Sequence, residues 1–471
     1  MSGAAAVKKG RGRKKGTDIR MAIADARDAA RPTDAQASRA KRLADMVLGL
    51  VSEEAAKHPE ILDVEVGGSY RKGTWLAKPE MDVDVYLRFD RGTGQDRFKD
   101  VAIDVGRAAL RDFAPYLKFS DHPYVEARLQ KGVLANVVPC YDVDEGRWQS
   151  AADRSRFHVR YMTRKLTKKM RDDVRLLKSF LKANGLYGAQ VATNGLSGYV
   201  AEVLVSHYGS FEGVVRAFAR DVVPGYVIGR AAREFTGIIS IIDPIDGNRN
   251  LAAAISSANV VRFVLACRAF VRAPSADFFD GRRAKRSGRV ARRYWDNLLV
   301  VRFGFRKRAP DVIWGQTKKS AAKLAKKLAQ DGFTVHRHGA HVEAGEGRGY
   351  LFVLLGATEI PPVYVQYGPE FSMSENLDAY IGKNLGDSDM MWVDAKGRLA
   401  ALKKWDDTRA DAHARRLLNR ESAGGSGDAL LPPGREGRPK VWIGSAADLG
   451  AAARGAAEEL IATDAAIVRL S

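Results

Sequence analysis

Apolar and polar side chains alternate with a period of two through Met81-Asp82-Val83-Asp84-Val85-Tyr86-Leu87. This predicts a strand with Val83, Val85 and Leu87 on a core face and Asp82, Asp84 and Tyr86 on the opposite face. Ile61–Val66 reads as a second strand, and it leads into Gly67-Gly68-Ser69-Tyr70-Arg71-Lys72-Gly73-Thr74-Trp75-Leu76, a glycine-bracketed turn with a hydroxyl and two cations. Upstream, Leu43, Met46, Val47, Leu50 and Val51 recur at helical spacing from a Thr33 cap to about His58. Downstream, a helix is predicted from about Phe98 to Leu117, then a hairpin of Tyr124–Leu129 and Val133–Val138 turning at Gln130-Lys131-Gly132. Pairing Leu129 with Val133 sets Glu126 directly across from Asn136.

The period then changes. Leu166, Met170, Val174, Leu177 and Leu181 form one stripe of a helix expected over Arg164–Ala183, with Asn184-Gly185 as its stop. Further helices are predicted over Gly198–His207 and Asn259–Phe270, with Pro244 in a loop, so this block is mainly helical to about Phe279. A third block reads strand (Asn297–Phe305), helix (Asp311–Gln330), three strands (Phe333–His338, Tyr350–Leu355, Val363–Tyr367) and helix (Ser372–Asn384). A sheet with helices on one side is its expected packing. Glu421–Gly427 reads as a flexible linker, and a terminal helix is expected near Leu449–Arg469 with no assignable task. These shifts divide the chain at 1–30, 31–160, 161–285, 286–420 and 421–471, the first being a disordered basic arm.

Composition narrows the partners. In 471 residues, 77 basic against 56 acidic side chains leave a net charge of +21, which points to a polyanion, nucleic acid ahead of a membrane surface. No apolar window is long enough to span a bilayer, and the N-terminal cations have no apolar core behind them as a secretory signal would, so a cytoplasmic location is expected. Two cysteines, Cys140 and Cys267, make neither a zinc cluster nor a disulfide framework.

Two carboxylates two residues apart on one strand face repel unless a cation lies between them. Hard oxygen ligands with no Cys/His cluster favour magnesium over zinc. Alone, Asp-x-Asp also fits a plain solvent-facing strand. The Gly-Gly-Ser turn upstream adds a phosphate-binding element, backbone N–H groups and a hydroxyl, beside the same pair.

Gly-Ser followed by Asp-x-Asp on a strand is the signature of the nucleotidyltransferase fold. Gly68-Ser69-Tyr70 with Gly73-Thr74-Trp75-Leu76, Val137-Val138-Pro139-Cys140-Tyr141, Ala152–His158, Arg175–Ala189 and Asp243–Asn250 together resemble the archaeal-type (class I) CCA-adding tRNA nucleotidyltransferases over roughly residues 35 to 415. The resemblance implies an α+β protein. Its nucleotidyltransferase head would fall in 31–160, its helical central domain in 161–285, completing the nucleotide pocket, and its α+β tRNA-binding body and tail in 286–420. It implies template-independent addition of C, C and A to the 3′ end of tRNA from CTP and ATP, with release of pyrophosphate. By position, Gly68, Ser69, Lys72, His158, Lys178, Tyr187 and Arg249 match nucleotide contacts, and Asp82 and Asp84 match the catalytic metal-binding pair, with Mg²⁺ as cofactor. The expected partners are tRNA, ATP and CTP, with a homodimer as a further expectation and no membrane.

Singly, these residues have blander readings: His158 as a satisfied buried histidine, Lys178 as a surface lysine laid along its helix, Tyr187 as core. The seven Arg and Lys of Gly281–Arg293 fit either a solvated linker or a tRNA-backbone contact. Two departures stand out. The family usually has arginine where Lys72 stands, and a third carboxylate where Asn136 stands. Glu126, across the hairpin, is the expected replacement. The alternatives are another RNA-terminal transferase, such as a poly(A) polymerase, and a catalytically impaired tRNA-binding homologue.

Overall fold

The computed structural model describes residues 19–76, 81–119, 123–130, 132–280, 293–306, 308–370, 375–423, 430–444 and 449–470. Residues 1–18, most of the 281–293 basic cluster and most of the 421–427 linker lie outside this set. Two compact units emerge, one holding the chain to Lys285 together with the residues from Ala465, the other running from Arg286 to Asp464.

The first unit contains a five-stranded sheet in the order β1-β2-β5-β4-β3. Its strands are β1 (Ile61–Val66), β2 (Met81–Phe89), β3 (Tyr116–Phe119), β4 (Pro123–Gln130) and β5 (Val133–Tyr141). β2 and β5 are parallel and the other pairs antiparallel. The alternation in β2 does what the sequence predicts: Val83, Val85, Leu87 and Phe89 are buried, and the even-numbered side chains face the other way. Helices α2 (Asp34–Ala55), α3 (Gly68–Lys72) and α4 (Gln95–Ala109) accompany this sheet, while α1 (Ile19–Ala30) packs on the helical part of the unit. Val47 and Val51 of α2 and Phe98, Val101 and Val105 of α4 share the core under β2. Each such fully buried aliphatic or aromatic side chain contributes about 1.5–3 kcal/mol. Thr33 caps α2 with a complete capping box through Gln36.

Three expectations change here. The helix read to Leu117 ends at Ala109, and Tyr116–Phe119 is the edge strand β3. Local pattern did not separate the two because β3 is only four residues long and earns its place by pairing with β4. The hairpin register holds where it matters, Glu126 opposite Asn136, but Val133 pairs with Gln130 across a bulge rather than with Leu129. Finally, the stretch expected to be disordered to residue 30 holds a helix, α1, from Ile19. Helix α1 buries Ala22, Ile23 and Ala26 in the helical core, and Arg27 and Arg31 reach Asp173 at 2.7 Å and Asp172 at 2.5 Å.

The rest of this unit is built from α5 (Arg154–Lys165), α6 (Lys168–Ala183), α7 (Gly198–Tyr208), α8 (Phe211–Arg220) and α9 (Ser257–Arg272), around a second core centred on Phe180, Phe211, Phe263 and Phe270. The single helix expected over Arg164–Ala183 is two: Leu166 is extended and buried, and Thr167 caps α6 by accepting from Met170 N at 3.3 Å. Pro244 sits in the expected turn, with Ile245, and the residues flanking it belong to a small sheet of β6 (Tyr226–Ile228), β7 (Ile239–Asp243) and β8 (Asp246–Asn250).

In the second unit, β9 (Leu298–Phe305), β10 (Val335–Glu343), β11 (Arg348–Leu355) and β15 (Arg435–Ile443) form a sheet in the order β10-β11-β9-β15. β12 (Val363–Glu370), β13 (Met390–Val393) and β14 (Arg398–Lys404) form a second one. The four-stranded sheet is covered on both faces, not one. Helices α10 (Pro310–Gln330) and α12 (Ala410–Ala423) bury one side, with α11 (Glu375–Asn384) packing on β12. α13 (Ala451–Ile461) covers the other side with Ala453, Ala457 and Leu460. Part of the C-terminal stretch that sequence left without a task thus supplies an edge strand and a covering helix. No helix among the described residues is long and apolar enough to cross a membrane.

Candidate active site

Three adjacent strands set three polar side chains in one row: Asp84 pairs with Asn136 across β2 and β5, and Asn136 pairs with Glu126 across β5 and β4. Asn136 Nδ2 donates to Asp84 Oδ1 at 2.9 Å. Its other amide atom, Oδ1, is buried with no hydrogen-bond partner among the described residues, an uncommon and costly condition for a buried acceptor. Asp82 stands two residues before Asp84 and opens to solvent. Surrounding protein still raises its pKa to about 6, first through lost hydration and then through the charges of Asp84 and Glu126. Burial also pushes Asp84 up, against the Asn136 hydrogen bond. The row therefore repels added negative charge and has an oxygen without a donor.

Glu126 is 3% exposed. It faces Asn136 as expected, but its carboxylate accepts from Tyr116 Oη and from Lys118 Nζ at 2.8 and 3.0 Å. No three His, Cys, Asp or Glu side chains converge as a metal centre among the described residues. The oxygen set beside Asp84 is thus two aspartates and an amide.

The glycine turn is a short helix, α3, held against β2 by Gly67 N donating to Asp84 O at 2.8 Å. Gly68 has φ +59°, and a Cβ there would collide with Asp84 Oδ2, so glycine is required by backbone and by space. Ser69 follows, half-buried, with its carbonyl accepting from Thr74 N at 3.0 Å. From the helical side, Arg175 donates to Gly73 O at 2.6 Å and Trp75 O at 3.2 Å, fixing the segment that leaves α3.

Lys72, Lys178 and Tyr187 come together around Glu202, a residue sequence reasoning did not single out. Glu202 is 0% exposed on α7. It accepts from Lys72 Nζ at 2.6 Å, Thr74 Oγ1 at 2.5 Å and Lys178 Nζ at 3.2 Å. Lys178 also donates to Thr74 O at 3.1 Å. Burial pulls the Lys178 pKa down to about 8, although Glu202 opposes it. Glu202 is held at about 2 despite its burial, by the two lysines. A side chain at Gly198 would lie 2.8 Å from Tyr187 Oη and 3.3 Å from Lys178 Cε, so this glycine leaves room for both. A lone Glu in the apolar run Val200-Ala201-Glu202-Val203-Leu204-Val205 was the available signal, because a buried carboxylate needs partners.

His158 and Arg249 meet at a second carboxylate, Asp243, at 2.9 and 3.1 Å. Tyr199 donates to the same group at 3.0 Å and stacks on His158 at 3.8 Å. Burial lowers the His158 pKa against the pull of Asp243. The Lys72 ammonium lies 5.4 Å from the Tyr199 ring, linking the two hubs. Lys72 also acts by its charge on Asp84 and on His158, which ties the acidic row on the sheet to both hubs.

Two family models match the chain. Residues 172–280 match the family described as tRNA nucleotidyltransferase, second domain, and residues 296–426 match CCA-adding enzyme, C-terminal domain. The CCA-adding enzyme of Saccharolobus shibatae is 34% identical over 383 residues, covering 80% of this chain and 88% of the relative. That of Sulfolobus acidocaldarius is 31% identical over 385 residues (81% and 87%), and that of Methanopyrus kandleri 30% over 380 (75% and 77%). Fold and site define a nucleotidyltransferase with a mixed α+β architecture. Within that class, the chain belongs to the archaeal-type CCA-adding enzyme family.

Proposed function

We propose that this protein adds C, C and A to the 3′ end of tRNA, taking the nucleotides from CTP and ATP and releasing pyrophosphate. The observation that carries the reading is the Asp82–Asp84–Asn136 oxygen set facing the Gly68 turn. A divalent cation fits this set. The donors are all hard oxygens, two are mutually repelling carboxylates, and Asn136 Oδ1 is a buried acceptor without a donor. Asp82, Asp84 and Asn136 would hold Mg²⁺, which when bound neutralises charge on the reacting phosphates.

The chain's own groups do the rest. Gly68 and Ser69 let backbone approach the triphosphate. Lys72, Lys178 and Tyr187 set positive charge and a hydroxyl on its flank, positioned by Glu202. His158 and Arg249, fixed by Asp243, stand at the nucleoside side. Catalysis is mainly positioning and charge neutralisation. Glu126 adds negative charge to the row that receives the metal; a Glu126→Gln protein with full nucleotide incorporation removes that role.

The test is incubation of tRNA lacking its last three nucleotides with each nucleotide. CTP alone is expected to add two residues, and CTP with ATP to restore the full terminus. A lengthening tail with ATP alone makes the protein a poly(A) polymerase, and binding without incorporation makes it an inactive homologue.

A further inference from the structure

A cavity of about 560 Å³ begins at Asp243 and is floored by Ile228 and Ile245. A second, about 340 Å³, continues from it and shares Tyr161, Lys165 and Ile245. Together they form a groove that runs from the Asp243 hub along α5 toward Glu145. Its rim is basic. Lys165 and Arg230 edge the first part, Arg160 and Arg164 the second. These cations differ from others of the unit. Arg27, Arg31, Arg88, Arg156 and Arg175 each bond a carboxylate. Arg164, Lys165 and Arg230 have no partner among the described residues, and only Arg160 is paired, with Glu145 at 3.3 Å. The two carboxylates that line the groove, Asp243 and Glu145, are bonded to Arg249 and Arg160, so the three exposed cations give it a local positive potential, and an apolar floor beside Tyr161 offers a surface for a flat ring.

We propose that this groove binds the backbone of the RNA substrate close to its 3′ end, with phosphates on Arg164, Lys165 and Arg230 and a base against Tyr161. The inference rests on the proposed function, because the groove borders Asp243, the residue that also holds His158 and Arg249. A free nucleotide is the less favoured occupant: the cations are spread along two connected cavities rather than gathered at one point, which matches a chain of phosphates. Contacts from the three cations to phosphates are expected to be tolerant of sequence.

The experiment compares the full-length protein with an Arg164→Ala/Lys165→Ala/Arg230→Ala variant and with Tyr161→Ala. Binding to tRNA lacking its last three nucleotides is followed between 50 and 200 mM salt. Each lost phosphate contact flattens the slope of log Kd against log salt by roughly 0.7–0.9, so the triple variant should lose about 2 and bind at least about tenfold more weakly at low salt. Tyr161→Ala should weaken binding several-fold without changing the slope. The KM for CTP and the melting temperature should stay as in the parent, since the three cations are exposed and hold nothing in place. An active parent whose triple variant keeps its RNA affinity and slope overturns the groove alone. So does a rise in the KM for CTP with RNA binding unchanged, which would make it a nucleotide site. A parent that incorporates nothing overturns the proposed function, while a lost salt slope in its variant still supports RNA in the groove.

Discussion

Glu202 shows how one buried carboxylate can hold a site together. Two ammonium groups close to each other repel, and Lys72 and Lys178 share one wall only because Glu202 lies between them at 2.6 and 3.2 Å. Removing one partner of such a buried set costs about 3–5 kcal/mol. Glu202→Gln is therefore expected to destabilise the protein by that order in chemical denaturation and to raise the KM for both nucleotides about tenfold or more. The pH dependence has a definite sign. Its folded pKa of about 2 lies below the ordinary 4.5, so its contribution is complete above 4.5 and is lost as pH falls toward 2. The variant should flatten the stability curve across that window. Asn136 gives a complementary test. Asn136→Asp replaces the donor to Asp84 with a carboxylate, so the metal-free protein should melt lower while Mg²⁺ or Mn²⁺ binds more tightly by calorimetry; unchanged metal affinity would separate Asn136 from the metal. Binding to the parent should strengthen as pH rises through about 6, where Asp82 gives up its proton. Asp82 and Asp84 were legible from their spacing on one strand, while Lys72, Lys178 and Asn136 were singled out by the positions they hold in the family resemblance. The two hubs were not, since a carboxylate's partners in this fold lie far along the chain: Glu202 is 130 positions from Lys72, and Asp243 is 85 from His158.

At the scale of the element, the site depends on how α3 abuts β2. Gly68→Ala would require a non-glycine residue at φ +59° and displace the Asp84 carboxylate. An activity loss of at least about a hundredfold is expected with a stability loss of only about 1–2 kcal/mol, which single-turnover assays beside melting curves would separate. Elements with strong local signals were readable: the β2 alternation, the Thr33 cap, the strand at Ile61–Val66. Elements defined by pairing were not. The split between α5 and α6 hid because Leu166 keeps its place in the apolar stripe while its backbone turns extended. The edge strand β3 hid because four residues after a helix carry no period of their own. It matters all the same, since it delivers Tyr116 and Lys118 to Glu126.

For the whole molecule, the charge of +21 was read more easily than the order in which the chain builds its sheets. The C-terminal stretch was obscure because its Ala- and Gly-rich composition resembles a tail, while its strand is stabilised by a partner more than a hundred positions earlier. Ending the chain at residue 434 removes β15 and α13 and leaves the apolar faces of Leu298, Val300 and Phe352 uncovered. That truncation is expected to collect in the insoluble fraction, and any soluble product should lose the protection of β9 amides against hydrogen exchange.

The same strand order bears on synthesis. β9 is a sheet interior in the finished protein, with β11 on one side and β15 on the other. During translation its second side stays open from Phe305 until Ile443 has been made. Throughout that interval the ribosome carries an unsatisfied strand of Leu298-Leu299-Val300-Val301, a natural target for chaperones and a weak point under heat stress, when nascent chains crowd.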